Sequence, residues 1–342
     1  MIPGKGGFIM KNRTKWAFRH VSLALAVLLL CNLLTVAGFA TEVTEPTEEA
    51  TSSVAVAAEQ PEVKNYEADP ESAVYQACQA VAEEIDATQI LVYDATADEL
   101  LYSKSVQGSK LYPASTTKLF STYVALQYLQ PDTVVTAGDE LDLLQPGSSI
   151  AYISKDHQLT AQMLVEGMLL PSGNDAALVL AAAAGKAVAG DDSLSGADAV
   201  QVFVEEMNRM ARELGFEKSH FANPDGYHVG THYTCVNDMV RIAKLALSNS
   251  IISKYMSTYE EDVIYASGHS NHWINTNHLL NEESDFYYPG TLGMKTGHTN
   301  QAGYCLMSAF KQNGHTIVIG VFGYPGTEAR FKDVISLLNA CK

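Results

Sequence analysis

The chain has 342 residues, 47% of them apolar, which is enough to bury the core of one or two domains. Its formal net charge of −17 argues against nucleic acid as a partner, because phosphates are bound by clustered lysine and arginine. The five cysteines form no CxxC pair and no zinc-ligand spacing, so no metal site and no cofactor is predicted. A single disulfide is left open, since nothing in the spacing fixes which cysteines would pair.

Residues 1–40 have the pattern of an export signal. They contain five basic residues and no acidic ones, and residues 21–40 are almost wholly apolar. Small residues at Gly38 and Ala40 allow cleavage before Thr41. The apolar run is also long enough to remain as a membrane anchor. We therefore expect an exported protein, with a cleaved signal peptide favoured over an anchor.

Residues 41–73 are predicted to be an acidic, disordered linker. Glutamate, threonine, alanine, proline and serine dominate this segment, and Lys64 is its only basic residue. Such a composition cannot bury enough apolar surface to offset the entropy of ordering the chain. The globular domain is then expected to occupy residues 74–342.

The globular part is predicted to begin with a β-hairpin, to continue with helices and to end with a second hairpin and a helix. The first hairpin joins residues 90–93 to 100–102, and the second joins 304–310 to 316–322 across Asn313-Gly314. This order indicates an α+β fold in which both chain ends build an antiparallel sheet and a helical insertion lies between them. Apolar periodicity predicts helices over residues 116–129, 161–170, 174–189, 197–214, 238–247 and 327–338.

The segment Pro113-Ala114-Ser115-Thr116-Thr117-Lys118 opens the first helical pattern. At a helix start, Ser115 and Lys118 lie on one face. A serine nucleophile needs an adjacent base, and a lysine can be that base only where burial or a nearby cation lowers its pKa. Alone, however, this pattern more often indicates a capping serine and a solvated lysine.

Two further elements follow in the chain, Ser172-Gly173-Asn174 in a loop between helices and Lys295-Thr296-Gly297. Each by itself is a common turn or strand end. The three elements together, in this order, are the set found in penicillin-binding proteins and class A β-lactamases.

On these motifs the chain resembles the low-molecular-mass penicillin-binding proteins, which are the serine D-alanyl-D-alanine carboxypeptidases of peptidase family S11. The resemblance runs from about Gln89 to Cys341. It implies a β-lactamase/transpeptidase-like fold, in which an antiparallel five-stranded sheet is flanked by helices and accompanied by an all-helical subdomain. Sequence segments that resemble those of the family also include residues 111–115, 172–177, 221–226, 275–280 and 295–299.

The resemblance implies a role for each residue of the first two motifs. Ser115 would attack the carbonyl between two D-alanines and form an acyl-enzyme, while Lys118 accepts its proton. Ser172 would relay a proton, and Asn174 would hold the substrate amide and steady Lys118.

The third motif is expected to bind the substrate. Lys295 would supply positive potential that helps to keep Lys118 neutral, and Thr296 would hydrogen-bond the terminal carboxylate beside Gly297. The oxyanion hole would map to the backbone N–H groups of Ser115 and His298. Arg330, at the start of the final helix, is a further candidate for the substrate carboxylate.

Two other functions compete with this interpretation. A class A-type β-lactamase would need a Glu-x-x-Asn base in a loop after the second motif, and the only match, Glu205 to Asn208, falls in a helical run. A non-catalytic peptidoglycan-binding or spore-coat module would not require the intact Ser115, Lys118 and Lys295.

The resemblance also implies the partners and the location. The substrate would be a peptidoglycan stem peptide ending in D-Ala-D-Ala, β-lactams would be covalent inhibitors, and no cofactor is implied. The enzyme would work at the outer face of the membrane or in the cell wall, with residues 21–40 providing any membrane attachment. The sequence leaves open the balance between carboxypeptidase, transpeptidase and endopeptidase activity.

Overall fold

The computed structural model describes residues 64–105 and 110–342. The predicted export segment and most of the predicted linker lie outside these ranges. No helix within them is both long and apolar enough to cross a bilayer. The helices are α1 Ala73–Glu83, α2 Lys118–Ala125, α3 Ala161–Leu169, α4 Asn174–Ala189, α5 Gly196–Glu213, α6 Val236–Ser248, α7 Ser250–Ser257 and α8 Ala329–Ala340.

The main sheet has five antiparallel strands in the order β2-β1-β9-β8-β7. Strands β1 and β2 come from the N-terminal side of the helices, and β7 to β9 come from the C-terminal side, so the predicted five-stranded antiparallel sheet is confirmed. Two small antiparallel sheets of two strands each, β3–β4 and β5–β6, stand apart from it. The strands are β1 Gln89–Asp94, β2 Glu99–Lys104, β3 Val134–Thr136, β4 Gln158–Thr160, β5 Glu260–Ile264, β6 Ser270–Ile274, β7 Thr291–Thr299, β8 Gly303–Gln312 and β9 His315–Tyr324.

The sheet divides the hydrophobic core into two layers. Every residue of β1 is buried. Because side chains alternate along a strand, Ile90 and Val92 join the core formed with α1 and α8. Leu91 and Tyr93 join the larger core on the opposite side, against the helical part of the chain. A strand covered on both faces is expected to read as a continuous apolar run, as Ile90 to Tyr93 does.

Helix α4 lies at the centre of the helical part, and most of its residues are buried. Its alanine-rich sequence is apolar nearly all round, which is the pattern of a buried helix. At Gly185, an added Cβ would lie 1.9 Å from the carbonyl oxygen of Ala199 in α5. This close approach fixes α4, whose first turn carries Asn174, against its neighbour.

Four elements differ from the predicted ones. The helix predicted over 116–129 is a 3-10 turn at Ala114–Thr117 followed by α2, and tight turns replace it after Ala125. Helices α1 and α7 and the β5–β6 hairpin were not predicted. The hairpin buries one residue per strand, Val263 and Trp273, so its apolar signal is weak.

Residues 64–73, which belong to the predicted linker, also contact the domain. Tyr66 is only 5% exposed, and its hydroxyl donates to Asp98 at 3.1 Å. Lys64 pairs with Asp98 at 3.0 Å, and Arg241 donates to the Lys64 carbonyl at 2.9 Å. The composition of this segment did not predict these contacts, because one aromatic ring and a few polar contacts are enough to hold residues 64–72 on the domain.

Candidate active site

The turn that carries Ser115 is held by the side chains of its own threonines. The Thr116 hydroxyl donates to the Pro113 carbonyl at 2.7 Å, and the Thr117 hydroxyl donates to the Ala114 carbonyl at 2.8 Å. Ala114 has a φ of +48°, a conformation that is costly for a residue other than glycine. The surrounding hydrogen bonds hold Ala114 in this strained conformation. The conformation of Ala114 in turn sets the orientation of Ser115, the next residue.

Lys118 follows directly as the first residue of α2 and is completely buried. Its Nζ lies 3.0 Å from Ser115 Oγ, 2.7 Å from Asn174 Oδ1 and 2.8 Å from the Asp225 carbonyl oxygen. Asn174 and Asp225 offer only acceptors. A neutral amine therefore donates both N–H groups to them and points its lone pair at Ser115 Oγ, which is the arrangement of a general base.

Burial lowers the pKa of Lys118 to about 8, because desolvation disfavours the ammonium form. The nearby carboxylates of Asp225 and Asp175 act in the opposite direction. Burial also holds the pKa of Lys295 well below its ordinary range, and the charges of Lys118 and Arg330 lower it further. We expected Lys295 to help keep Lys118 neutral; here desolvation is the main cause of the lowered pKa of Lys118.

The second motif places Asn174 beside Lys118 and Ser172 in the loop before it. Ser172 is buried and has a φ of +65°, and Asn174 is the first residue of α4. The Asn174 side-chain amide donates to Ser148 Oγ at 3.0 Å. Asn174 thus links the base to the loop on the opposite side of the cleft.

Asp175, the next residue, fixes that loop. Its carboxylate accepts from the backbone N–H groups of Ala151 at 2.8 Å and Ile153 at 2.9 Å. Gly173 is required at this junction, because a Cβ there would lie 2.7 Å from the Ala151 Cβ.

The third motif lies on β7, next to the turn of Ser115. Lys295 is completely buried and donates to the Thr296 carbonyl at 3.1 Å. A Cβ at Gly297 would lie 3.0 Å from the Ser115 backbone nitrogen, so only glycine lets β7 approach this closely. Thr296 Oγ1 lies 2.5 Å from Thr276 Oγ1, a contact that no motif in the sequence indicated.

His298 lies on β7, and Arg330 reaches the backbone of this strand from α8. The exposed His298 ring stacks on Tyr304 with the ring centroids 4.0 Å apart. Arg330 is buried, and its Nη1 donates to the carbonyls of Gly297 at 3.4 Å and Cys305 at 3.2 Å. Burial lowers the pKa of Arg330 to about 10. The guanidinium thus contacts the backbone of β7 and β8, and it lies 5.2 Å from the Tyr304 ring on which His298 stacks, while His298 also lines the cleft.

Residues 222–226 form a loop that sequence reasoning did not assign to the site. The Asp225 carbonyl accepts from Lys118, and the Pro224 carbonyl accepts from Ser121 at 2.7 Å. Gly226 packs so closely that a Cβ would lie 1.9 Å from the Ala114 carbonyl oxygen. Only the resemblance of residues 221–226 to the family indicated this loop. Any residue type can supply a backbone carbonyl, so the residues themselves do not predict such a contact.

These elements border a cleft of about 400 Å³. Three predicted site residues, Ser115, Asn174 and His298, line it directly. Lys118, Lys295 and Arg330 are buried and are not among the residues that line the cleft. The remaining lining residues are Pro146, Gly147, Ser148, Ser149, Gly226, Tyr227, His228, Thr299, Asn300 and Gln301.

The Glu-x-x-Asn match lies inside α5 and away from this wall. Glu206 pairs with Arg209 at 2.6 Å and Asn208 binds the Phe221 carbonyl at 2.7 Å, while Glu205 is exposed. None of the three lines the cleft. The β-lactamase alternative therefore gains no water-activating base from this motif.

Comparison with known families gives one match that covers most of the chain. The sequence model described as D-alanyl-D-alanine carboxypeptidase, Peptidase_S11, matches residues 76–326. D-alanyl-D-alanine carboxypeptidase DacF of Bacillus subtilis is 29% identical over 74% of this chain. The D-alanyl-D-alanine carboxypeptidase of Streptomyces sp. strain K15 is 31% identical over 70% of this chain and 81% of its own length. The chain spans 61% of the length of the Bacillus protein.

Solved structures give the same picture. The Streptomyces K15 DD-transpeptidase superposes with a TM-score of 0.66 and 28% identity, covering 75% of this chain and 97% of that one. The D-alanyl-D-alanine carboxypeptidase of Mycobacterium tuberculosis superposes with a TM-score of 0.63 and 26% identity, covering 74% of this chain and 90% of that one. The architecture around the cleft is thus shared with both.

Proposed function

The chain belongs to the D-alanyl-D-alanine carboxypeptidase family, peptidase S11, and we propose that it removes the terminal D-alanine from peptidoglycan stem peptides through an acyl-enzyme on Ser115. The buried amine of Lys118, 3.0 Å from Ser115 Oγ with its other two contacts to acceptors, carries this proposal. A neutral lysine in this position can take the serine proton, which a solvated lysine could not do near neutral pH.

In the first half-reaction, Ser115 Oγ attacks the carbonyl carbon of the penultimate D-alanine as its proton passes to Lys118 Nζ. The oxyanion is stabilised by the backbone N–H groups of Ser115 and His298. Breaking the peptide bond releases the terminal D-alanine, whose nitrogen takes the proton from Lys118 by way of Ser172, so that Lys118 is again neutral. Water then attacks the ester carbonyl and gives a proton to Lys118. That proton passes to Ser115 Oγ as the ester bond breaks, which regenerates the hydroxyl and releases the shortened peptide with a new C-terminal carboxyl group.

The third motif accounts for recognition of the chain end. Lys295 is buried without a carboxylate partner among the described residues, and its pKa is lowered well below its ordinary range. A carboxylate arriving beside it favours the charged ammonium form and so raises that pKa. Lys295 and Thr296 thereby select a substrate with a free C-terminal carboxylate. Arg330 holds Gly297 through the hydrogen bond to its carbonyl.

The direct test is release of D-alanine from a synthetic pentapeptide ending in D-Ala-D-Ala, measured with a coupled D-amino acid oxidase assay. Ser115→Ala is expected to lower the rate by roughly 1,000-fold or more. A peptide ending in L-Ala-L-Ala serves as the control substrate. Undiminished release by Ser115→Ala would refute the proposal.

Transfer of the acyl group to an amine is a second candidate, because a superposing structure is a DD-transpeptidase. Both reactions share the acylation step and differ only in the acceptor that attacks the ester. Adding glycylglycine to the assay and quantifying the two products by mass spectrometry separates them. Hydrolysed tetrapeptide as the main product supports a carboxypeptidase, whereas a dominant glycylglycine adduct supports a transpeptidase.

Penicillin tests the two alternatives left by the sequence. A carboxypeptidase is expected to form a long-lived adduct with fluorescent penicillin at Ser115. Turnover of penicillin within seconds would instead indicate a β-lactamase. Absence of both labelling and D-alanine release would indicate a non-catalytic module.

We also propose that the protein acts outside the cytoplasmic membrane, where stem peptides are exposed. Residues 1–40 would direct export, and residues 21–40 would provide any membrane attachment. Mass spectrometry of the mature protein tests this proposal. A chain starting at Thr41 supports a released enzyme, and an intact N-terminus in the membrane fraction supports an anchor. A full-length chain recovered only from the cytosol would contradict export.

A further inference from the structure

A histidine outside the three motifs lies behind the nucleophile turn. His232 is only 2% exposed, and both of its ring nitrogens are hydrogen-bonded. Its Nε2 lies 2.9 Å from Thr117 Oγ1, and its Nδ1 lies 3.1 Å from the backbone nitrogen of Ala222. The ring also meets Phe221 edge-on, with the centroids 5.7 Å apart.

The partners determine where the protons lie. The Ala222 N–H can only donate, so His232 Nδ1 must accept and carries no proton. His232 Nε2 therefore carries the proton and donates it to Thr117 Oγ1. The Thr117 hydroxyl donates in turn to the Ala114 carbonyl at 2.8 Å. One directed series of hydrogen bonds thus runs from Ala222 through His232 and Thr117 to the strained Ala114.

This series joins the two backbone segments that hold Lys118. At one end, Thr117 lies between Ser115 and Lys118, and its hydroxyl donates to the carbonyl of Ala114, the residue before Ser115. At the other end, Ala222 begins the 222–226 loop, whose Asp225 carbonyl accepts from Lys118. Protonation of His232 would set an N–H against the Ala222 N–H, and burial lowers the pKa of His232 to about 3. The ring therefore stays neutral over the working pH range.

We propose that His232 is a positioning residue for acylation, which holds the Ser115 turn and the 222–226 loop at the separation that Lys118 requires. This inference rests on the proposed function of Ser115 and Lys118. A general base works only within hydrogen-bond reach of its proton, and a displacement of about 1 Å can cost on the order of 100-fold in rate. The bond to Thr117 is the contact through which His232 acts on Ser115.

Two amide substitutions separate this role from simple packing. His232→Gln places an N–H near the position of Nε2 and keeps the bond to Thr117. His232→Asn places its oxygen near the position of Nδ1 and keeps only the bond from Ala222. Both variants lose the ring and are expected to lower the melting temperature to a similar extent. A packing role predicts equal effects on rate, and a positioning role does not.

The experiment measures the second-order rate of acylation by fluorescent penicillin at 20 °C, together with thermal melting. His232→Asn is expected to acylate about 10- to 100-fold more slowly than wild type, and His232→Gln to remain within about threefold. Thr117→Val is expected to reproduce the loss, and its combination with His232→Asn to add little, because both break one series of bonds. Thr117→Ser, which keeps a hydroxyl, should restore most of the rate.

The exposed His269, in the turn between β5 and β6, provides the control. His269→Asn should leave both the rate and the melting temperature unchanged. Equal acylation rates for His232→Asn, His232→Gln and wild type would refute the positioning role, as would losses that follow the melting temperature alone. A wild-type protein that is not acylated at all would refute the proposed function instead.

Discussion

At the scale of single residues, the site depends on how the fold treats two lysines. Lys118 and Lys295 are both completely buried, although lysine is almost never buried without a partner. Lys118 has three polar contacts around its nitrogen, whereas Lys295 has one, to the Thr296 carbonyl. This difference supports the roles that we propose, in which Lys118 acts on Ser115 and Lys295 receives the substrate carboxylate.

The pKa of Lys118 predicts the pH dependence of acylation. In the proposed mechanism the neutral amine is the base, and burial lowers its pKa to about 8. Below pH 8 the ammonium form accumulates, so the acylation rate should fall about tenfold per pH unit, and above pH 8 it should level off. Stopped-flow acylation by penicillin between pH 5 and 10 measures this profile.

A charge substitution provides the control for that assignment. The Asp225 carboxylate raises the pKa of Lys118, so Asp225→Asn should move the midpoint to lower pH. The asparagine can still accept from the Tyr227 N–H, which binds Asp225 Oδ1 at 2.8 Å. A midpoint that moves upward, or does not move, would assign the titration to another group.

Thr276 offers a prediction about substrate binding rather than chemistry. Its hydroxyl lies 2.5 Å from that of Thr296, which we propose to bind the substrate carboxylate. Thr276→Val removes a bond worth about 1 kcal/mol, and so should raise KM for the D-alanyl peptide about 5-fold with little change in kcat. Steady-state kinetics with Thr276→Ser as the matched control checks this. A fall in kcat at constant KM would place Thr276 in the chemical step.

At the scale of elements, the site is assembled from one turn, one helix start, one loop and one strand. The sequence motifs predicted three of these, at Ser115, Asn174 and Lys295, because each depends on particular side chains. The 222–226 loop contributes through the carbonyls of Pro224 and Asp225, and any residue type can supply a carbonyl. That part of the site could not be predicted from spacing or chemistry.

The errors in the predicted elements likewise fall where the sequence pattern is too short to indicate the structure. The paired strands at both ends of the described chain and helices α3 to α6 and α8 have long apolar patterns, either periodic or continuous, and were predicted to within a few residues. Helix α7 has eight residues and begins at a cap from Asn249, which accepts from the N–H groups of Ile251 and Ile252. A segment so short offers about two turns of periodicity, so tertiary packing rather than sequence pattern decides its structure.

Gly226 tests the contact between the loop and the nucleophile turn. Its φ is +83°, and a Cβ would lie 1.9 Å from the Ala114 carbonyl oxygen. Gly226→Ala should therefore push the loop away from Lys118 and lower the acylation rate about 100-fold, with a lower melting temperature.

Gly230 is the matched control in the same region of the chain. No atom lies within 4 Å of a Cβ built there. Gly230→Ala should acylate and melt as wild type does. Equal rates for Gly226→Ala and Gly230→Ala would show that the spacing between loop and turn does not limit acylation.

At the scale of the whole molecule, the sheet separates the side of the cleft from the side on which helices α1 and α8 pack. Helix α1 and helix α8 pack with Ile90 and Val92 on one face, and the helical part with the cleft lies on the other. Cys78 in α1 and Cys341 after α8 come together there, with their sulfur atoms 3.8 Å apart. Chemistry at this pair can therefore change stability without touching the cleft.

We expect Cys78 and Cys341 to form a disulfide under mild oxidation, ahead of the other described cysteines. The hydrogen bond from Cys341 lowers the pKa of Cys78 and favours its thiolate, which is the reactive form. Diamide, an azo oxidant, would take up two hydrogens as one sulfur–sulfur bond of about 2.05 Å forms. Because the bond spans 263 residues, it should stabilise the fold by up to about 5 kcal/mol and raise Tm by several degrees.

Intact mass, peptide mapping and thermal melting after diamide treatment test this pairing. The mass should fall by two hydrogens, and the cross-linked peptide should contain Cys78 and Cys341. Cys341→Ser should abolish both the mass change and the rise in Tm, whereas Cys235→Ser should preserve them. Because the sheet stands between this pair and Ser115, penicillin acylation should be equal in the oxidised and reduced enzymes. Cross-linking through Cys235 or Cys305 would contradict the pairing, and altered acylation would show that the two faces of the sheet are coupled.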